Sequence, residues 1–297
     1  MTASDDPALF ESRRRHLLGL AYRILGSLAE AEDAVQDTFL KWRAADRGAI
    51  ENPAAWLTTA CTRRCLDLLK AARRTRVDYI GTWLPEPVET MAPETPETSL
   101  ELASSLSTAF LLLLERLSPK ERAAYLLHEI FEQPYPDVAA ALGLHEATCR
   151  KLVSRAKASV GRPVARYAAP PDRQQSLLEE FRGALASGRT ERLSMLLSDE
   201  ITLAADGGGR VSAIPHPLHG KLSVLDFVMG PLREHWSHYE WRPADINGGR
   251  GVLLVADGRL SAAVSFGYDA AGRIEGIFIV RNPDKLARLE AGGLAIS

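Results

Sequence analysis

Three cysteines in 297 residues are too few for a disulfide framework, and Cys61, Cys65 and Cys149 form no CxxC pair. No histidines stand at a spacing that would complete a zinc site with them, so buried reduced thiols are expected, with no metal and no cofactor. Long apolar runs are lacking too. The longest, AFLLLL at 109–114, falls far below the roughly 20 residues that cross a bilayer, and the polar, acidic start MTASDDPALFES is unlike a signal peptide. The expectation is a cytosolic protein with no membrane partner. Net charge of either sign is nearly absent, at −2 for the whole chain, so the total predicts no partner.

The distribution of charge is more telling. Arg63 to Arg76 holds six basic residues against the single Asp67, Val77 to Glu101 holds six acidic residues and no basic one, and Arg150 to Arg166 again holds six basic residues and no acidic one. Two basic patches separated by an acidic segment suggest two nucleic-acid contacts joined by a strap that avoids DNA. The acidic segment, 77–105, is rich in Pro, Thr and Glu and too polar to fold alone. Trp83 and Leu84 are out of place in such a strap and are expected to dock on something.

Around the second basic patch, Leu117 to Val160 reads as helix, short helix, turn, helix. Pro119 fits the first turn of one helix, and Pro134 and Pro136 delay the next until about Asp137. Val138, Ala139 and Leu142 give that helix an apolar face, Gly143 suits a left-handed turn, and His145 stands at the following N-cap. Cys149, Leu152 or Val153, Ala156 and Val160 recur at spacings of three and four, leaving Arg150, Lys151, Ser154, Arg155 and Lys157 outside. Two helices joined by a tight turn, the second one basic, is the geometry that lays a recognition helix in the DNA major groove. An ordinary helical hairpin with a solvated charged face is the plain alternative.

Towards the N-terminus, residues 8–25 form an amphipathic helix with Leu9, Leu17, Leu20, Ala21, Ile24 and Leu25 inside, ended by Gly26 and Ser27. The next, 29–44, buries Ala31, Ala34, Val35, Thr38, Phe39 and Trp42 beneath an outer face of Glu30, Asp33, Gln36, Asp37 and Lys41. That face is either merely solvated or docks on a basic partner. A loop, 46–52, leads to Pro53 and a helix to about Arg74, whose Arg63, Arg64, Lys70, Arg73, Arg74 and Arg76 form a basic rim. With Trp56 nearby, these groups suit phosphates and unstacked single-stranded bases, although Trp56 also fits a core position.

The segments AEDAVQDTFLKWRA and NPAAWLTTACTRRCLDLLKAARRTR, followed by SPKERAAYLLHEIFEQPYPDVAAALGLHEATCRKLVSRAKA, resemble regions two and four of an extracytoplasmic-function sigma factor. The resemblance implies RNA polymerase core and promoter DNA as partners. It places core-polymerase contacts at Asp33, Gln36, Asp37 and Lys41, and minus-ten contacts at Trp56, Arg63, Arg64, Lys70, Arg73 and Arg74. The minus-thirty-five reader falls on Arg150, Lys151, Ser154, Arg155 and Lys157. Many members carry Asn where Arg63 stands here, which bears on the pocket for a flipped base. In such factors the acidic strap threads the polymerase's RNA-exit channel.

After Pro170 and Pro171 the periodicity changes. Helices are expected at 173–187, 190–197, 221–234 and 284–290, and strands at 200–205, 210–214, 237–246, 251–256, 259–268 and 273–280, an α+β pattern ending in a meander of antiparallel strands. This part resembles the SnoaL-like cone of the nuclear-transport-factor-two superfamily. Asp206-Gly207-Gly208-Gly209, Asn282-Pro283-Asp284-Lys285-Leu286 and the linker's Trp83 to Pro87 resemble the signature of the sigma-factor subgroup that bears such a domain.

The expected architecture is multidomain. Two all-α sigma domains occupy 1–76 (a helical bundle) and 106–168 (helix-turn-helix), joined by the 77–105 linker, and an α+β SnoaL-like domain fills 172–297. The implied function is promoter-specific initiation, controlled by the chain's own C-terminal domain through Trp83, Leu84, Pro85, Asp206, Gly207, Gly208, Asn282, Pro283 and Asp284. A monomer needing no separate anti-sigma factor is expected, without catalysis. The fold also hosts cyclases and isomerases, so an enzyme or ligand sensor fused to a DNA-binding segment is the rival. Its available groups are Asp206, His216, His219, Asp226, His235, His238, Tyr239 and Asp245. A single helix-turn-helix repressor would leave 29–76 unexplained.

Overall fold

Punctuation in the sequence sets the helices of the N-terminal half. In the computed structural model, which describes residues 6–76, 79–90, 105–161 and 169–290, α1 (Asp6–Leu25) ends at Gly26, whose φ of 71° admits the left-handed turn. Ser27 then caps α2 (Leu28–Ala44) by accepting from the Glu30 amide. Phe10 takes the inner position of α1 while Leu9 is only half-buried, and Phe39 of α2, expected inside, is also half-buried. After a short 3-10 turn (Arg47–Ala49) comes α3 (Pro53–Arg76), which buries Leu57, Cys61, Cys65, Leu66 and Leu69.

α4 (Thr108–Glu115) is followed by α5 (Pro119–Tyr125), which runs on as a π-turn, Leu126–Ile130. Ser118 and Glu121 close a full capping box at the start of α5. The helix-turn-helix consists of α6 (Tyr135–Leu142), Gly143 at φ 62°, and α7 (Glu146–Val160). Tyr135 rather than Asp137 opens α6, because Pro134 sits at the N-cap and Pro136 within the first turn, where no N–H is needed. His145 holds the N-cap position of α7 without a side-chain capping bond, so its ring does not do what a serine would there.

Two units divide the chain: residues 1–77 with 113–162, and residues 78–112 with 163–295. In the second, α8 (Pro171–Ser187) and α9 (Thr190–Leu196) precede β1 (Leu197–Asp206) and the two-residue β2 (Leu218–His219). Then come α10 (Lys221–Phe227), a π-turn (Val228–Leu232) and α11 (Arg233–Trp236). Strands β3 (Glu240–Ile246), β4 (Gly249–Ala256), β5 (Arg259–Tyr268) and β6 (Ile274–Val280) lead to α12 (Pro283–Glu290).

The sheet order is β2-β1-β6-β5-β4-β3. One expectation is corrected: the run 210–214 is turn and loop, and the antiparallel partner of β1 is β2. The closing meander, β3 to β6, is antiparallel throughout as expected. The sheet as a whole is mixed, because β1 lies parallel to β6, with Leu203 opposite Ile277 and Ala205 opposite Ile279.

Alternation along the strands gives the sheet two buried faces. Leu203, Ala205, Val264, Phe266, Ile277 and Ile279 join the core under α8 to α11. Ala204, Ala263, Phe278 and Val280 face the other way, packing with Leu84 of the linker and Leu286 of α12. Covering both faces of the sheet therefore requires a piece of chain from outside the C-terminal domain.

Candidate nucleic-acid interface and linker clamp

Within the first unit, regions that the sequence assigns to separate DNA contacts meet directly. Arg63 of α3 donates from Nη2 to Ala140 O at 2.7 Å and from Nε to Ala141 O at 3.1 Å. Those carbonyls belong to the last turn of α6, which has no intrahelical donors for them. Reciprocally, Arg122 of α5, 4% exposed, donates from Nη1 to Ile24 O in the last turn of α1 at 2.8 Å and to Glu115 Oε1 at 2.7 Å. Each arginine thus binds a helix terminus across the seam, where the negative end of the helix dipole favours a cation. A cavity of about 30 Å³ lies between α3 and α6, bordered by Ala55, Thr58, Val138 and Ala141.

Several expected contact residues are engaged within the unit. Asp37 pairs with Arg64 at 2.6 Å, joining a residue expected at the polymerase surface to one expected at the minus-ten surface. Trp56, half-buried, packs its ring 5.5 Å from that of Trp42, so it serves the core at least in part. Lys70 pairs with Asp67 on an exposed turn, while Asp33, Gln36 and Lys41 stay exposed on α2. The side chains of Arg73 and Arg74 lie outside the described residues.

On α7 the expected stripe Cys149, Leu152, Val153, Ala156 and Val160 is buried, with Lys151 and Ser154 exposed. Arg150 lies over the Tyr135 ring at 4.5 Å, Arg155 pairs with Glu121 at 2.9 Å and Lys157 with Glu129 at 2.7 Å. Glu121 is held below the usual carboxylate range by the Ser118 hydroxyl, then by the Ser118 amide and Arg155.

The second unit contains the clamp. Asp206, at the end of β1 and wholly buried, accepts from the Tyr79 hydroxyl at 2.6 Å, the Leu84 amide at 2.9 Å, the Gly208 amide at 2.9 Å and Lys285 Nζ at 2.7 Å. Lys285 also donates to Leu84 O and lies 4.6 Å from the Trp83 ring centroid. Asn282 donates to the Tyr79 hydroxyl at 3.0 Å and caps the start of α12 by accepting from the Asp284 amide. Burial pushes the Tyr79 phenol well above its ordinary range, with the Asp206 carboxylate adding to the shift. The three short motifs, scattered over 200 positions of sequence, thus converge on one carboxylate.

Glycine is required here for two different reasons. Gly208 has φ 59° and an added Cβ would sit 2.2 Å from the Asn282 amide, whereas at position 207 any side chain is excluded by the Val211 carbonyl oxygen, 2.3 Å from where a Cβ would lie. Pro85, Glu86, Pro87 and Val88 are buried, while Pro283 and Asp284 are exposed. Further along, Asn247 accepts from the Val88 amide and donates to Leu106 O, Thr90 bonds the backbone at Asp245 and Gly248, and Thr108 meets Ser265 at 2.9 Å. Tyr79, Lys285 and Asn247 were not singled out from sequence. Lys285 lay inside a quoted motif, and its position four residues before Leu289 on an amphipathic helix was the available signal.

The groups considered for catalysis are dispersed. Asp206 is the clamp, His219 meets Thr202 at 3.2 Å, Asp245 pairs with Arg250 at 2.9 Å, and His216, Asp226 and His238 are exposed. His235 and Tyr239 alone form a pair, 3.0 Å apart. Among the described residues no three His, Cys, Asp or Glu side chains converge as metal ligands, and no helix is long and apolar enough to cross a membrane.

Residues 9–75 match the Sigma-70 region 2 family and residues 107–160 the Sigma-70, region 4 family. The ECF RNA polymerase sigma factor SigJ of Mycobacterium tuberculosis is 36% identical over 228 residues, covering 76% of this chain and 73% of SigJ. The chain belongs to the ECF RNA polymerase sigma factors. Another member from the same organism, the ECF RNA polymerase sigma factor SigG, is 33% identical over 295 residues, covering 91% of this chain and 75% of SigG. The crystal structure of SigJ matches with a TM-score of 0.73 and 31% identity over 94% of this chain and 98% of that one. Helical sigma regions followed by an α+β SnoaL-like domain with a mixed sheet are therefore common to both structures. As a sigma factor, the chain carries the region 2 and region 4 modules of promoter-specific initiation, which imply binding to RNA polymerase core and promoter DNA.

Proposed function

We propose that the free sigma factor rests in a closed form controlled by its own C-terminal domain, without a separate anti-sigma protein. The observation that carries this reading is the burial of Leu84 to Val88 and Thr90 of the linker on the C-terminal domain, with Asp206 as the hub. A linker held there is not free to thread the polymerase. A second restraint acts between regions 2 and 4, where Arg63 and Arg122 bind the other region's helix ends. Arg63 then reads DNA only after leaving Ala140 and Ala141, and Asp37 meets polymerase only as Arg64 turns to the minus-ten element.

The test is run-off transcription with purified core enzyme and promoter DNA, comparing the full chain with one that ends at residue 171 and so lacks the sheet on which the linker docks. The closed form predicts more transcript per bound factor when the linker is released. Equal transcript would remove the regulatory claim while leaving the family membership untouched. We read the C-terminal domain as a regulator rather than an enzyme, because apart from the exposed His235–Tyr239 pair its candidate acid and base groups are dispersed, and the chain as a cytosolic monomer.

On α7 the roles divide by present pairing. Lys151 and Ser154 are exposed and ready for DNA, whereas Arg155 and Lys157 leave Glu121 and Glu129 to reach it. Lys151→Ala is expected to weaken minus-thirty-five binding alike across sequences and to reduce the salt slope of log K by about 1, the loss of one phosphate contact. Arg150→Ala, by contrast, should relax sequence preference. Fluorescence anisotropy on a promoter duplex at several salt concentrations separates the two.

A further inference from the structure

A chain of contacts that starts at the π-turn Leu126–Ile130 ends on the recognition helix. At the turn the Phe131 amide reaches back five residues to Leu126 O at 3.0 Å, one residue more than an α-helix spans. His128 and Glu129 leave this turn towards different helices. His128 Nδ1 lies 2.9 Å from Gln133 O, and a carbonyl only accepts, so Nδ1 carries the proton and the ring is held in one orientation. Its imidazole stacks on Tyr135 of α6, with centroids 4.0 Å apart and planes at 28°. Glu129 pairs with Lys157 of α7 at 2.7 Å.

Tyr135 passes this order on to α7. The guanidinium carbon of Arg150 lies 4.5 Å from the centroid of its ring, and Arg150 Nη2 donates to Glu146 Oε2 at 3.3 Å. The Arg150 side chain is still 60% exposed, so it is held without being covered. The Tyr135 hydroxyl bonds to no other group among the described residues, which leaves the ring itself as what this residue supplies.

We infer that Tyr135, braced by His128, is a positioning residue for minus-thirty-five recognition, holding the Arg150 guanidinium ready for a base edge. A planar guanidinium can lie on a ring and still present its fork of N–H donors. An arginine that meets guanine O6 and N7 together needs that fork in a fixed plane. Ordering a long side chain before DNA arrives removes part of the entropy lost on binding. A loose Arg150 would instead settle on any nearby phosphate, which carries no sequence information. The inference rests on the reading of α7 as the minus-thirty-five helix.

The test uses holoenzyme assembled from core and the full chain, its relative affinity measured on promoter duplexes substituted at each minus-thirty-five base pair in turn. Arg150→Ala identifies the base pair that Arg150 reads by the preference lost there. Tyr135→Leu should lower the preference at that same base pair by about fivefold, the ordering of one long side chain, and leave the other positions unchanged. Tyr135→Phe should keep the parent's preference. His128→Ala, which leaves Tyr135 in place, should give the same pattern at about twofold, and it carries the test if Tyr135→Leu misfolds. A loss spread evenly over all base pairs, or Tyr135→Phe as damaging as Tyr135→Leu, would overturn the positioning role while leaving Arg150 as a reader. If Arg150→Ala alters preference at no base pair, the reading of Arg150 itself fails and the positioning role falls with it.

Discussion

Replacing Asp206 by alanine should free the linker from the C-terminal domain. The carboxylate is wholly buried and holds four donors at once, among them Lys285, whose side chain is 13% exposed. Removing one partner of a buried pair leaves the other charge uncompensated, at a cost on the order of 3–5 kcal/mol. Removing both can be nearly neutral when apolar groups of similar volume take their place. Asp206→Ala should therefore speed exchange of the Leu84 amide, which bonds Oδ2 directly, by roughly 100-fold or more at about 1.4 kcal/mol per tenfold. Asp206→Leu with Lys285→Met should recover much of the domain's stability while still losing the Tyr79 and Leu84 bonds. In run-off transcription the single variant should exceed the parent chain. Unchanged protection at Leu84 would mean that packing of Leu84 and Val88 holds the linker rather than the carboxylate network.

The helix-turn-helix was legible because its signals are local. Pro119, Pro134 and Gly143 act within a few residues of their own backbone, and the three-and-four spacing of Cys149, Leu152, Ala156 and Val160 maps directly onto a buried stripe. The antiparallel meander β3 to β6 was legible by the same reasoning, but the place of β1 beside β6 was not. The parallel alignment of β1 with β6 joins residues about 75 positions apart, and period-two alternation says which faces are apolar without saying which strand is the neighbour. The linker misleads in a physical way: its composition cannot form a core alone, yet Pro85 and Pro87 have no N–H to leave unpaired, so they are buried on a sheet without that cost. Nor does a run of basic residues reveal which cations are free. Arg64, Arg155 and Lys157 meet carboxylates that only the fold brings near, while Lys151 does not.

Arg122→Ala should open the seam between regions 2 and 4, and it should do so far more strongly than Arg63→Ala. Arg122 is 4% exposed and binds Ile24 O and Glu115 together, so its loss removes the bonds to a helix-end carbonyl and to a partly buried carboxylate at once. By the reasoning for broken buried pairs the cost is about 3–5 kcal/mol. Arg63 is exposed, and water can take over at Ala140 and Ala141, so each lost bond there costs about 0.5–1.5 kcal/mol. Spin labels at the exposed positions Lys41 on α2 and Ser159 on α7 report the separation, the three native cysteines being buried. In Arg122→Ala the distance distribution should lengthen and broaden, whereas in Arg63→Ala it should shift little. Combining the two should cost less than the sum of the singles, because once Arg122 has released the seam the Arg63 bonds are already broken in much of the population. Strict additivity, or an unchanged distance in Arg122→Ala, would show that the two arginines do not hold one closed form and would leave the linker clamp as the sole restraint on this factor.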